Sequence, residues 1–490
     1  MIHAPVRLAG LVMLACLAAC TVGPAYRPPA LETPASFKDA GVTWNRVTPG
    51  AAVVDDGPWW KAYGDPALNA LVARSLAANP AIEQAEANWR QALAAVGEAR
   101  AAAWPALGLG VSGSRSSNAL RQVDPAGLPG LEGLTDGVTT RVAVQANASW
   151  EPDVWGSVRQ QTIAAGATAD ASGATASAQR LSIAGTVIST YLSIRQLDID
   201  LELLGRQVAL YRALRDTSEA AHALGGASFD DVLAARNRLD QATTALTTAR
   251  ISREQAEHAL AVLCGSAPAA FSLEPQAGYR FVTPAVPATL PSDVLRARPD
   301  IAAAERQVAA ANAQVGVAQA AWFPTIQLTA SGGYQGSSLA HLFSAPHEIW
   351  SLGPQLAVTL FDGGARRSRV AQAKAGYDSA AAGYRQAVLA AMQEVEDDLS
   401  ALNHLGEQRR IQGDVLARQA TLLANRRAQH AAGTASANDV LADELSEAVA
   451  RKNAADAQAQ EAMASVKLWV AAGGATAATK IARGRLDTDR

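Results

Sequence analysis

The feature that most constrains this chain is that much of it is written twice. Pro80, Ile82, Glu86, Val96, Gly97, Ala99 and Pro105 recur as Pro299, Ile301, Glu305, Val315, Gly316, Ala318 and Pro324, each 219 residues later. Gly156, Arg159, Asp170, Val187, Gly225, Asp231, Val232 and Leu233 recur as Gly364, Arg367, Asp378, Val395, Gly433, Asp439, Val440 and Leu441, each 208 residues later. A fixed offset that holds through Gly, Pro and Asp punctuation marks a duplicated structural unit. The first copy carries 11 more residues than the second between its Pro105 and its Gly156.

Each copy reads as one series: a helix of about 24 residues, an alternating segment, a turn-rich loop, a second alternating segment, a very long helix, a short turn and a return helix. Proline placement supports this. The chain has 22 Pro, yet none in 154–267 and none in 355–490. A proline inside a helix costs about 3 kcal/mol, so these are the stretches where long helices can run unbroken. Residues 157–224 would extend roughly 100 Å at the helical rise. Ile183, Val187, Tyr191, Ile194, Leu197, Leu201, Leu204, Val208, Tyr211 and Leu214 step by three or four through it, as a coiled-coil seam does. Gly185 and Gly205 interrupt that seam and are expected to mark bends. In the second copy the seam is broken by GEQRRIQGD. Composition agrees with long thin helices: 49% of residues are hydrophobic but only 5% are aromatic.

The alternating segments have a different character. TTRVAVQANASW places Val142, Val144, Ala146, Ala148 and Trp150 opposite Arg141, Gln145, Asn147 and Ser149. PTIQLTASGGYQ places Ile326, Leu328, Ala330 and Tyr334 opposite Thr325, Gln327, Thr329, Ser331 and Gln335. WSLGPQLAVTLF and PALGLGVSGSR follow the same rule, the second more weakly. Strands of about ten residues with one apolar face, one small polar face and aromatics near the ends fit a transmembrane barrel. A soluble sheet with one wet face would show the same alternation. Two hairpins supply four strands, and an open edge in lipid leaves backbone groups unpaired at several kcal/mol each. A barrel must therefore be shared. Two chains would give an eight-stranded barrel filled by side chains; three would give twelve strands and a lumen.

The first residues are targeting sequence. MIHAPVRLAGLVMLACLAAC has one Arg and a short apolar run before Cys20, which predicts a signal peptide over 1–19. Leu17-Ala18-Ala19-Cys20 resembles the lipobox of bacterial lipoproteins, which implies acylation of Cys20; Thr21, not being Asp, resembles outer-membrane sorting. Of three Cys, only Cys264 then remains as a free thiol, so no intramolecular disulfide is expected. After the signal no stretch has 18 consecutive apolar residues. The expected organisation is a lipidated tether over 20–65, a first repeat over 66–264 with its hairpin at 105–152, a linker over 265–298, a second repeat over 299–472 with its hairpin at 324–361, and a tail over 473–490.

Formal net charge is −3, and no basic surface points to nucleic acid. Gly108, Gly110 and Gly113 form G-x-G-x-x-G, but within a strand that follows a helix, the reverse of a nucleotide site. His341 and His347 fall in a loop, where solvated side chains are expected rather than a metal site. No catalytic constellation or cofactor motif is present.

GPAYRPPA, WWKAYGDPALNALVARSLAANP, LPSDVLRARPDI, AWFPTIQLT, LFDGG and the paired GGASFDDVL and GTASANDVL resemble the TolC-like outer-membrane channels of tripartite efflux pumps, in their lipoprotein branch. That resemblance implies an α+β, mostly α chain: a homotrimer with a shared 12-stranded barrel in outer-membrane lipid, a periplasmic α-helical barrel, and an equatorial belt around it that 20–65, the linker 265–298 and the C-terminal tail would supply here. It implies a periplasmic adaptor and an inner-membrane transporter of the RND type as partners, and a passive exit duct for small molecules. A type I protein-secretion outlet is the alternative within the class, and a periplasmic helical scaffold lipoprotein the alternative outside it. In the family the helix turns meet the adaptor, which points here to Gly225, Gly226, Ser228, Gly433, Thr434 and Ser436. An Asp just past each turn narrows the periplasmic entrance. The matching residues are Asp231 and Asp439, with Asp443 and Glu444 close behind. His430 and Ala435 stand where many members carry an aromatic or basic residue. The same glycines and hydroxyls also suit helix capping, with Gly ending one helix and Ser228, Asp230, Ser436 or Asn438 starting the next.

Overall fold

The computed structural model describes residues 22–30, 34, 37–38, 58–117, 138–284, 298–340 and 342–474. The signal peptide, Cys20, His341, the loop 118–137, most of the tether, the linker residues 285–297 and the tail from 475 onward lie outside the described residues.

Along the chain, α1 spans Pro66–Ala78, α2 Pro80–Ala101, β1 Ala106–Ser117, β2 Val138–Trp150, α3 Ser157–Ala223 and α4 Phe229–Leu263. The second copy follows with α5 Pro299–Ala320, β3 Thr325–Gly336, β4 Glu348–Ala357, α6 Ala365–Ala431 and α7 Ala437–Ala471. The duplication is reproduced element by element: α2 and α5 have 22 residues each, α3 and α6 have 67 each, and α4 and α7 have 35 each. GEQRRIQGD does not break α6, because an exposed polar turn is helical as long as no proline enters it. The chain forms two compact units, one of residues 1–29, 90–170 and 305–382, the other of 30–89, 171–304 and 383–490.

The first unit holds the sheet. Its order is β1-β2-β3-β4, antiparallel throughout, so β1 and β4 are its two edges. The register aligns the apolar positions of all four strands. Leu107 faces Ala148, Ala148 faces Ala330 and Ala330 faces Leu352; Leu109 faces Ala146, which faces Gly332, which faces Trp350. The opposite face aligns Gly108, Asn147, Ser331 and Ser351, and the last two hydroxyls lie 2.9 Å apart. Gly333 is required where it stands, since a Cβ there would drive into the Val144 carbonyl of β2.

Aromatic and capping contacts fasten the strands to the helices that follow. Trp155 stacks on Phe323 at 4.8 Å, and its indole N–H donates to the Pro324 carbonyl at 2.7 Å. Trp150 donates to the Ala103 carbonyl at 3.0 Å. Asp153 accepts from the backbone N–H groups of Val158 and Arg159 and starts α3. Asp362 accepts from those of Gly364 and Arg366 and starts α6, and these bonds with the Arg366 guanidinium hold its carboxyl down to about 2. The N-terminal segment is laid along this unit. The Val22 N–H donates to Trp155, Asn312 donates to the Pro24 carbonyl, and the Tyr26 hydroxyl bonds Glu305.

The second unit carries the main core. Trp59 and Tyr63, from a 3-10 turn at Trp59–Tyr63, pack with Leu68 and Val72 of α1 against Val187, Ile188, Tyr191 and Ile194 of α3 and Trp469 of α7. Trp59 and Trp469 stack at 5.7 Å, and the Tyr63 hydroxyl meets Ser465 at 2.8 Å. The seam read from sequence is buried at Ile183, Val187, Tyr191, Ile194 and Val208, and half-buried at Leu197, Leu201 and Leu204. α3 runs unbroken through Gly185 and Gly205. At Gly185 close packing calls for glycine: a Cβ would lie 2.5 Å from Val470 of α7.

Sequence reasoning missed a buried ionic cluster in this unit. The Asp198 carboxylate accepts from Arg195 at 2.9 Å, from Arg253 at 3.1 Å and from the Gln276 N–H at 2.9 Å. Arg195 also donates to the Glu274 carbonyl, Arg253 to that of Leu273, and the Leu273 N–H donates to Glu257. The segment after α4 is thus fixed by its own backbone groups to α3 and α4. A second polar contact joins α3 to α7, where Lys452 lies 3.2 Å from Asp200 and 2.7 Å from Asp456. Burial, then the neighbouring Asp456 carboxylate, raise the Asp200 carboxyl to about 6. A raised carboxyl favours the folded state at low pH, and that gain is lost as pH rises from about 4 toward 6. Asp200→Asn is therefore expected to stabilise the protein by about 1 kcal/mol per chain at pH 7.5 and to change little at pH 4.5, allowing for solvent screening. Thermal melts of both proteins at the two pH values measure this; an equal difference at both would contradict it.

Candidate functional site: the helix turns and the strand faces

Two equivalent turns join α3 to α4 and α6 to α7. Each long helix ends on a left-handed glycine, Gly225 at φ 73° and Gly433 at φ 75°. In the first turn the Gly225 N–H donates to His222 and the Gly226 N–H to Ala221; in the second, Gly433 donates to His430 and Thr434 to Gln429. These bonds satisfy the carbonyls that a helix end leaves unpaired. Each return helix then begins with a capping box. Ser228 accepts from the Asp231 N–H at 3.1 Å, while Asp231 accepts from the Ser228 N–H at 3.0 Å and its hydroxyl at 2.7 Å. Ser436 and Asp439 repeat this at 3.1, 2.9 and 2.8 Å. The two Asp carboxylates are exposed, and their Ser partners hold both below the usual range, so they stay ionised at neutral pH.

His222 and His430 act alike. The Nδ1 of His222 lies 2.9 Å from the Ala227 carbonyl, and that of His430 lies 2.9 Å from the Ala435 carbonyl. A carbonyl only accepts, so Nδ1 carries the proton in both. His430 therefore ties its own turn. Asp443 pairs with Arg426 at 2.8 Å, and Glu444 with Arg427 at 2.5 Å, each joining α6 to α7. In the first copy Arg236 of α4 pairs with Glu219 of α3 at 2.7 Å. Glu219 and Arg236 occupy the positions of Arg427 and Glu444 at the 208-residue offset, with the charges exchanged. The offset was visible in the sequence; applying it to charged residues would have found this pair.

The sheet supplies the other functional surface. Leu107, Leu109, Val111, Trp350, Leu352 and Leu356 are all more than two-thirds exposed and share the apolar face. Trp104, Trp322 and Phe361 lie exposed near the strand ends from which the helices depart. Arg366 stacks on Trp322 at 5.2 Å. A large apolar face beside aromatics is what lipid contact requires. Among the described residues no helix is long and apolar enough to cross a membrane, and no group of three metal-ligating side chains converges. His347 pairs with the Ser344 hydroxyl.

Comparison with known proteins agrees with these surfaces. Residues 71–266 and 290–474 match the outer membrane efflux protein family, to which the chain belongs. The chain is 30% identical over 405 residues to outer membrane protein OprJ of Pseudomonas aeruginosa, covering 81% of each. It is 27% identical over 402 residues to the toluene efflux pump outer membrane protein TtgC of Pseudomonas putida, covering 82% of this chain and 81% of the relative. The open-state MtrE outer membrane channel of Neisseria gonorrhoeae superposes with a TM-score of 0.79 at 27% identity, over 93% of this chain and 98% of that one. The fold is TolC-like, and the protein is an outer-membrane efflux channel rather than an enzyme.

Proposed function

We propose that three copies of this chain close one twelve-stranded barrel and serve as the passive exit duct of a tripartite pump, carrying small amphipathic or apolar compounds handed over by a periplasmic adaptor and an RND-type inner-membrane transporter. The observation that carries this reading is the open sheet: among the described residues it has four strands, unpaired along the outer sides of β1 and β4, with one apolar exposed face. Such a sheet is stable in lipid only when further copies pair its edges. The relatives named for efflux support small-molecule cargo. Acylation of Cys20 fits the same picture. Val22, two residues on, is bonded to Trp155 beside the departing strand ends, within reach of a bilayer surface.

At the turns, we assign Gly225, Gly226, Ser228, Gly433, Thr434 and Ser436 to adaptor contact, and Asp231, Asp439 and Asp443 to the periplasmic constriction. Three copies of Asp439 near an axis repel one another and attract cations. Asp439 also caps α7, so its removal loosens the turn as well. Asp439→Ala is expected to raise single-channel conductance in planar bilayers several-fold and to increase antibiotic leak. Unchanged conductance would remove the gate from this site. For the whole reading, deletion of the gene should raise cellular retention of an amphipathic dye, and the wild-type chain should reverse it. Retention unaltered by deletion, in cells where the protein is made, would overturn the efflux assignment.

A further inference from the structure

The small polar face of the sheet carries a single charged residue among the described strand positions, and that residue is Arg141. Its face is fixed by register. Arg141 stands opposite Ser114 of β1 and shares its face of β2 with Ala143, Gln145, Asn147 and Ser149. On β3 the same face presents Thr325, Gln327, Thr329, Ser331 and Gln335, and on β4 Ser351 and Gln355. Arg115, two residues beyond Gly113 and opposite Thr140, and Glu348, aligned with Val111 through Tyr334 and Val144, belong to the opposite, apolar face. Arg141 is exposed and forms no ion pair among the described residues. It is the fourth residue of β2, whose first residue follows the loop 118–137. At about 3.3 Å per residue it therefore stands about 10 Å inside the sheet from the end remote from the helices. That end is the extracellular one, because the helices, too polar for lipid, leave from the other.

We propose that Arg141 is a selectivity residue of the duct: three copies form a cationic ring in the lumen just below the extracellular mouth, favouring anionic and neutral permeants over cationic ones. This rests on the shared-barrel reading above. A guanidinium stays charged at any physiological pH and, projecting into a lumen, acts on permeants within a Debye length of about 8 Å. Rings of Arg select for anions in other pores, and lumen substitutions tune selectivity in barrels. The surrounding Ser, Thr, Asn and Gln are neutral, so nothing else on this face of the described strands opposes the ring.

The test is the reversal potential of reconstituted protein in planar bilayers across a KCl gradient. Arg141→Glu is expected to raise the potassium-to-chloride permeability ratio by about threefold over wild type, with Arg141→Gln between them and Arg141→Lys close to wild type. A Cys at 141 is expected to react with a charged, membrane-impermeant methanethiosulfonate added from the extracellular side. Conducting channels whose reversal potential is the same for wild type and Arg141→Glu would overturn the proposal while leaving the barrel intact, as would a 141 cysteine that stays unlabelled. Failure of wild-type protein to conduct at all would overturn the barrel reading itself, and the ring with it.

Discussion

Asp198→Ala is expected to destabilise the helical unit severely, costing about 3–5 kcal/mol per chain. The Asp198 side chain is fully buried, and the two guanidinium groups it holds, Arg195 and Arg253, are almost as well hidden. Removing the carboxylate leaves two cations and the Gln276 N–H without their shared acceptor. A buried charge robbed of its partner cannot recover water, so the loss exceeds the net worth of the pair. Arg195 retains the Glu274 carbonyl and the face of Tyr191, and Arg253 retains Glu257, which keeps the cost finite. The 271–281 segment, clamped through Leu273, Glu274 and Gln276, is expected to detach first. Thermal melts and limited proteolysis of the purified protein check this. Asp198→Ala should lower the melting midpoint by several degrees and open new cleavage sites near 271–281, whereas Asp216→Ala, at an exposed ion pair, should do neither.

The second large effect belongs to the sheet. Leu352 lies mid-strand in β4, is 77% exposed and aligns with Ala330, Ala148 and Leu107 on the apolar face. An Arg at the bilayer midplane of a barrel costs about 2–4 kcal/mol, and a three-chain barrel meets that cost three times. Leu352→Arg is therefore expected to abolish heat-modifiable oligomer in outer-membrane fractions. Ser351→Arg, one residue away and on the lumen face, is expected to leave the oligomer in place. The reverse pattern would mean that the two faces are assigned the wrong way round.

Much of this architecture could be read from residue order alone. Proline-free stretches and the two fixed offsets located the long helices, because backbone hydrogen bonding imposes local rules that a single sequence displays. Strand faces were legible for the same reason: a period of two survives in any strand with one apolar side. What sequence did not show depends on neighbours distant along the chain. Gly185 reads as a bend in the seam, and nothing nearby in sequence shows that it makes room for Val470, 285 residues away. Asp198 reads as one more polar residue on a long helix until the Gln276 backbone comes to it. At the turns, Ser228 and Ser436 were readable as caps, but Asp231 and Asp439 emerge as the reciprocal members of capping boxes as well as candidates for the constriction. The exchanged pairs Glu219–Arg236 and Arg427–Glu444 show that the two copies kept a contact while reversing its charges.

One chain cannot close its own barrel, since its described residues supply four strands with β1 and β4 left as edges. Native mass spectrometry of protein extracted from membranes in mild detergent tests it most directly. A dominant species of three protomers that falls to monomer only on heating is expected. A stable single-chain or two-chain species from the same membranes, with no threefold mass, would contradict it.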